Sequence, residues 1–270
     1  MTSPCEVHIF SNDANKAREV ASQILTSAKA LEKKYNFYNP DSFLSQINQR
    51  KIVKLDGQTV DLLKKSQYFY KKTDAIFDVT MGTLVDSRKN TTIERVEEEV
   101  EKMLPFVGCE HFKISRQKIS FDNPYTLIDL GGVVKEFAVD MGVKILKKHK
   151  ITSALLNFGG DIYALGEKPS KEPFSIGIKN PHNTSEYLVN ISLANQALTT
   201  SASYERNSKI EDKTYSHIIH KKSLQEEILS ATVIASTVLE SGIYSTSLMI
   251  NPTLKMSLKK CLIDRELQIV

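Results

Sequence analysis

The sequence predicts an α+β fold, and three observations lead there. Short β-prone segments come in runs and do not alternate regularly with helices, the helical stripes are few and long, and a chain of 270 residues with 41% hydrophobic content can bury a large core. The expected architecture has mixed or antiparallel sheets with packed helices, arranged over 1–270 as one elaborate domain or as two closely joined lobes.

The chain opens on a strand over residues 5–10 (CEVHIF). Residues 15–35 then place Val20, Ile24, Ala28, Leu31 and Tyr35 at three- and four-residue spacings, one apolar stripe on a long helix. Asn39, Pro40, Asp41 and Ser42 force a turn after it. A second helix is expected over 59–70, and a third carries Ile93, Val96, Val100 and Leu104 among glutamates. Strands follow at 112–114, 118–121, 153–156, 174–178 and 187–192, with one helix, Val134 to Lys148, set among them. The apolar stretch 228–235 and a helix over 241–249 complete the series. No internal repeat, low-complexity tract or linker interrupts it.

Net charge is +4, but the lysines are scattered and no basic block is interleaved with aromatics, which argues against nucleic acid as a partner. Cys5, Cys109 and Cys261 lie far apart with no CxxC pair, so neither a zinc site nor a disulfide framework is expected. No apolar run reaches membrane-spanning length and no signal peptide precedes the first strand, so the expected location is the cytoplasm, or an exported compartment if this is a trimmed mature form.

Two segments concentrate the chemistry. LIDLGGVVKEFAVD (residues 127–140) and LNFGGD (156–161) each read as an apolar strand that breaks at a double glycine beside a carboxylate. Glycines let a ligand approach bare backbone, and a helix opening after them adds partial positive charge. Lys135, one turn into that helix, could reach a phosphate. In isolation each turn could equally be a bend with a solvated lysine or a capping aspartate. Neither matches GxGxxG or a P-loop. Hydroxyls cluster at 199–203 ahead of Tyr204, Glu205 and Arg206, and YSHIIH (215–220) offers His217 as a proton acceptor or as an ordinary strand histidine. FDVTMGTLV (77–85) could line a pocket for a planar ring, or form an edge strand with a bulge.

Taken together, in order and in register, these segments resemble the ApbE family of FAD:protein FMN transferases. The carriers are YNPDSFLSQIN (38–48), FDVTMGTLV (77–85), DLGGVVKEFAVD (129–140), NFGGDI (157–162), part of TSASYER (200–206) and YSHII (215–219). The resemblance implies an ApbE-like fold and a Mg²⁺-dependent enzyme that cleaves the FAD pyrophosphate. FMN would pass to a Thr or Ser hydroxyl of an acceptor protein, with release of AMP. By motif position it implies cofactor contacts at Tyr38, Ile76, Phe77, Asp78, Asp129, Lys135, Asp161 and Ile218. It further implies metal ligands at the Gly132 backbone and Thr246, and a base or phosphate contact at His217. The chemistry is coherent, because phosphoryl transfer needs charge neutralised, oxygens held by donors, and an acceptor for the hydroxyl proton.

Departures from the family pattern are specific. The late family segment carries an Asp four residues before the threonine that Thr246 matches, and Gly242 stands there. Glu136 occupies the usual Gly after the lysine, and Glu240 is a second nearby carboxylate. Ala202-Ser203 replaces Gly-Asp and His220-Lys221 replaces Asp-Pro. A hard cation needs carboxylate oxygen, so a protein that binds or stores FAD with little turnover is an alternative reading. A FAD pyrophosphatase that frees FMN is a further one.

Overall fold

The structure is a computed structural model that describes residues 4–89, 92–202, 207–210, 213–216 and 227–270. In chain order the elements are β1 (Cys5–Ile9), α1 (Ala14–Lys34), α2 (Phe43–Asn48), α3 (Gly57–Lys72), a 3-10 stretch (Gly82–Lys89) and α4 (Ile93–Met103). Next come β2 (Phe112–Ser115), β3 (Lys118–Phe121), α5 (Val134–Lys148), β4 (Ala154–Phe158), β5 (Asp161–Leu165), β6 (Phe174–Lys179), β7 (Tyr187–Leu193) and β8 (Gln196–Ala202). The series closes with β9 (Asn207–Ile210), β10 (Lys213–Ser216), β11 (Ile228–Ala235), α6 (Val238–Ile250) and β12 (Lys259–Asp264). The α+β class is as expected. By internal contacts the chain divides into two compact units, one of Met1–Lys33, Gly132–Ala202 and Glu226–Val270, the other of Lys34–Gly131 and Ser203–Gln225.

In the first unit six antiparallel strands form a sheet in the order β1-β4-β5-β8-β11-β12. The glycine pair after β4 is a two-residue hairpin loop: φ is 60° at Gly159 and 92° at Gly160, the left-handed geometry that a tight right-twisting hairpin needs. Asn157 stabilises it by accepting from the Gly160 N–H at 2.9 Å. Alternation along β5 then divides its side chains between two faces. Ile162 and Ala164 join Leu198 and Ile263 in a core covered by Phe174, Ile178 and Leu193 of the β6–β7 hairpin. Asp161 and Tyr163 point to the opposite face, where α5 packs on β4 and β5 and α6 packs on β8 and β11. Gly142 permits that layer to close, since a Cβ there would stand 2.9 Å from Leu156 Cδ1 and 3.1 Å from Ile24 Cγ2 of α1. The last motif residue of α5, Asp140, caps the next helix instead of facing a ligand. It accepts from the N–H groups of Val238 (2.8 Å) and Leu239 (3.1 Å), satisfying donors that the first turn of α6 leaves open.

In the second unit Leu44, Ile47, Leu62, Leu63 and Leu84 are buried, and α2, hidden in the sequence behind the Asn39–Ser42 turn, begins where Ser42 Oγ accepts from the Ser45 N–H at 3.0 Å. Asp56 caps α3 by accepting from the Thr59 N–H (2.9 Å) and also pairs with Lys34 at 2.7 Å. Burial pushes the Asp56 carboxyl up, but the Lys34 ammonium and the Thr59 amide outweigh it and hold it below the usual carboxylate range. A depressed carboxylate stabilises the fold above its unfolded pKa and loses that contribution as pH falls through the folded one. Asp56→Ala should therefore cost about 1–2 kcal/mol at neutral pH, with the difference from wild type shrinking below roughly pH 4, as read by urea unfolding.

Two sequence expectations are corrected. Residues 127–130 are not a ladder strand: Leu127 makes a single parallel bridge to Met81, the Asp129 N–H reaches the Val79 carbonyl, and side chains of Asn48 and Thr83 supply further contacts. The segment 77–85 is not an edge strand, because its second half coils into the 3-10 stretch.

Candidate functional site

In the second unit the predicted cofactor residues are built around the approach to the first double glycine. Asn48 clamps that approach as a strand partner would. Its side-chain amide donates to the Ile128 carbonyl (2.8 Å), and its carbonyl accepts from the Ile128 N–H (2.9 Å). Thr83 Oγ1 accepts from the Leu127 N–H at 2.9 Å, and the Asp129 N–H donates to the Val79 carbonyl at 2.7 Å. The motif 38–48 is thus largely a device for holding 127–129, with Ser42 as cap, Leu44 and Ile47 as core and Asn48 as clamp. Gly82 lies against the same stretch. A Cβ there would meet the Leu127 carbonyl oxygen and Phe37 Cε2 at 2.9 Å and Asp129 Cβ at 3.1 Å. Gly82→Ala should cost about 1–3 kcal/mol, because one of those contacts is backbone and cannot rotate away. A thermal melt of the variant checks this, and an unshifted transition would show that the approach is looser than described.

Asp129 accepts from the Gly131 N–H at 2.8 Å, and burial pushes its carboxyl up against that bond. Phe37 and Tyr38 stack edge to face with centroids 5.4 Å apart, and Tyr38 is 76% exposed, an aromatic face left open to a planar partner. Ile76 is half-buried and follows Asp74 and Ala75, both at positive φ (51° and 60°), a costly backbone for non-glycine residues that turns the chain sharply ahead of it. Phe77 is buried. Asp78 is buried as well, its Oδ1 accepting from the Thr80 N–H (2.8 Å) and Thr80 Oγ1 (2.6 Å). Thr80 Oγ1 in turn accepts from the Gly108 N–H at 2.7 Å, so the Asp78 carboxylate organises a turn. Its charge, with burial as the larger cause, pushes the Cys109 thiol far up.

In the first unit a polar nest lies between the sheet and its helix layer. Lys135 Nζ stands 2.8 Å from Asp161 Oδ2, the lysine side chain 26% exposed and the aspartate 3%. Glu136, 8% exposed, is the second acid of the nest. Burial first, and then the neighbouring Asp161 carboxylate, hold its carboxyl well above the usual range, with Lys135 acting in the opposite sense. Glu136 Oε2 is buried and has no hydrogen-bond partner, and neither has Thr199 Oγ1, which faces Asp161 across the β5–β8 ladder. Farther along β8, Ser201 Oγ lies 2.8 Å from Ser245 Oγ and 3.1 Å from Thr246 Oγ1, so Thr246 faces the sheet from α6. Gly132 is exposed, and a Cβ on it would meet nothing within 4 Å, which leaves its backbone open to a ligand. Among the described residues no group of three or more His, Cys, Asp or Glu side chains converges.

The first unit therefore brings together Lys135 with Asp161, and Glu136 with Gly242. His217 and Ile218 lie outside the described residues. Asn48 and Asp140 stand in the quoted motifs and Thr199 in the hydroxyl cluster, but the sequence assigned none of them a role of its own. For Thr199 the cluster of hydroxyls was the available signal, but two of its members serve structure or helix contact: Thr200 pairs with Thr232 at 2.8 Å, and Ser201 with α6.

Comparison with known proteins agrees with this architecture. A model described as the ApbE family matches residues 1–260. The chain is 25% identical over 256 residues to the FAD:protein FMN transferase of Escherichia coli K12, covering 88% of this chain and 72% of that protein. It is 26% identical over 255 residues to the enzyme of the same name from Haemophilus influenzae, covering 88% and 73%. Among solved structures, the ApbE protein of Thermotoga maritima superposes with a TM-score of 0.88 at 25% identity, covering 99% of this chain and 93% of that one. The flavin transferase ApbE of Vibrio cholerae, at 21% identity, shares the fold with a TM-score of 0.82 over 98% and 91%. With the motifs in register, the sheet and helix layer in place and the match running through 1–260, the chain belongs to the ApbE family.

Proposed function

We propose that this protein is a FAD:protein FMN transferase. The observation that carries the reading is the family match over 1–260, because it takes in every motif that the sequence places around the two double glycines. The reaction joins the phosphorus of the FMN half of FAD to a Thr or Ser oxygen of an acceptor protein. It breaks the pyrophosphate bond to that phosphorus, and the bridging oxygen leaves with AMP. The hydroxyl proton passes to a base or to the departing phosphate. The two units interleave along the chain, neither being one continuous segment, which favours 1–270 as a single functional domain.

Mg²⁺ belongs to the same proposal, and the donor set fits it. As ligands the nest offers oxygens, including Glu136 Oε2 and Thr199 Oγ1, beside the Lys135 ammonium on Asp161, and Mg²⁺ is commonly held by one or two carboxylates together with substrate phosphates. Asp161, Thr246 and the open Gly132 backbone are the other residues that would hold it. When bound, the ion would neutralise charge on the pyrophosphate. The Lys135 ammonium would bind and orient phosphate oxygens while its contact with Asp161 fixes its position. Tyr38 and Ile76 would offer apolar surface to a flavin or adenine ring, and Asp129 would receive a donor from the nucleotide. His217 and Ile218 are proposed as contacts on motif position alone.

The test incubates the full chain with FAD and Mg²⁺ and follows AMP by chromatography. AMP formation that EDTA suppresses is expected, and intact FAD under every divalent metal tried would contradict the proposal.

A further inference from the structure

We propose that Glu136 supplies, from α5, the carboxylate of the divalent-cation site that position 242 of α6 does not carry. This deepens the transferase reading and rests on it. A Cβ built on Gly242 would lie 2.6 Å from Glu136 Cγ and 3.3 Å from both its Cδ and Oε1. The Glu136 side chain therefore occupies the volume that a side chain at 242 would fill, and the two positions can carry only one carboxylate between them. In the sequence the exchange is reciprocal. Glu136 stands where the motif has glycine, and Gly242 stands where the late segment has aspartate.

The carboxylate is also placed to meet a ligand. A buried polar atom in a folded protein nearly always has a partner, yet Glu136 Oε2 meets no donor while its carboxyl lies close against that of Asp161, and Thr199 Oγ1, which faces Asp161 from the adjoining strand, has no partner either. These two atoms belong to different elements, a helix and the sheet, so the pattern is not one misplaced side chain. Thr246 lies one turn along α6 from Gly242, and Ser245 Oγ donates to the Gly242 carbonyl at 3.0 Å, fixing that turn with oxygens toward the sheet. Glu240, the other acid near this helix start, is engaged elsewhere: its Oε2 accepts from Ser236 Oγ at 3.2 Å.

The experiment titrates Mn²⁺ into the full chain and reads free Mn²⁺ by electron paramagnetic resonance. Four proteins are compared: wild type, Glu136→Gln, Glu136→Gly, and Glu136→Gly combined with Gly242→Asp. Glu136→Gln keeps the volume and removes the charge, and should weaken Mn²⁺ binding by about tenfold or more. Glu136→Gly should do the same, and adding Gly242→Asp should recover most of the loss by returning the carboxylate to the same space from α6. Unchanged Mn²⁺ affinity in Glu136→Gln would overturn the inference. So would a folded double variant, judged by its circular dichroism, that binds no better than Glu136→Gly. Wild-type AMP release from FAD is measured in parallel. AMP release by a protein whose Glu136→Gln variant still binds Mn²⁺ normally would defeat this inference and leave the transferase reading intact. Glu136-dependent Mn²⁺ binding without AMP release would do the reverse.

Discussion

Replacing Lys135 with methionine is expected to lower AMP release from FAD by about 10²- to 10³-fold, the scale of effect when a donor aimed at developing negative charge is removed. Methionine keeps the length and apolar stem of the side chain and deletes the ammonium. The loss also reaches the fold. Asp161 is almost fully buried with Lys135 at 2.8 Å and Glu136 beside it, so the variant leaves two buried acids without their cation. Removing one member of such a pair costs about 3 kcal/mol, less where solvent reaches the lysine. Activity is therefore compared well below the melting transition. Lys135→Arg, which keeps the charge in a planar fork, should recover stability better than turnover, since a compact ammonium and a guanidinium present different geometry to phosphate oxygens. Wild-type rates in Lys135→Met would remove the lysine from the reaction.

Asn48→Ala should be the most damaging change in the second unit. The substitution leaves both the N–H and the carbonyl of Ile128 without their partner, and Ile128 is fully buried. Each buried backbone group left unsatisfied costs about 1–3 kcal/mol, so the expected loss for the two is about 2–6 kcal/mol. FAD affinity should fall with it, because Asn48 positions the segment that carries Asp129. Urea unfolding and flavin fluorescence titration read the two effects. An Asn48→Asp variant, which can accept but not donate, should keep part of the stability. Equal stability of wild type and Asn48→Ala would mean that the clamp is not what holds 127–129.

The periodic elements were legible in the sequence because their periodicity is local. The stripe from Val20 to Leu31 predicts α1, and the alternating or apolar runs at 5–10, 174–178, 187–192 and 228–235 correspond to β1, β6, β7 and β11. Five strands, β5, β8, β9, β10 and β12, have no counterpart among the expected ones, and two of them show why. β5 starts on a charged residue directly after a glycine turn and is buried along its whole length, so DIYAL shows no alternation. β12 begins with Lys259 and Lys260 and ends on Asp264, and only its middle is apolar. The approach to the first double glycine reads as a strand, yet its partners are the side chains of Asn48 and Thr83 and the backbone at Val79 and Met81, far away in sequence, and no local pattern reports such a pairing.

The candidate site was legible in part for the same reason. Lys135 and Asp161 are both motif residues, and the structure pairs them. Asp78 and Asp140 are also motif residues, but one organises a turn and the other caps a helix, roles that a carboxylate in a motif can hold without touching a ligand. Gly242 looked in the sequence like the loss of an acid. The geometry ties that glycine to Glu136, because the space beside it is already filled by a carboxylate from another helix.

The most direct test of the transferase assignment follows both products of one reaction. The protein is incubated with FAD, Mg²⁺ and protein extract from its own source cells, AMP is measured by chromatography, and flavin that survives denaturing electrophoresis is measured by fluorescence. Equal amounts of AMP and covalently bound flavin, linked by mass spectrometry to a Thr or Ser, are the predicted result. Intact FAD, or AMP accompanied only by free FMN, would contradict the assignment.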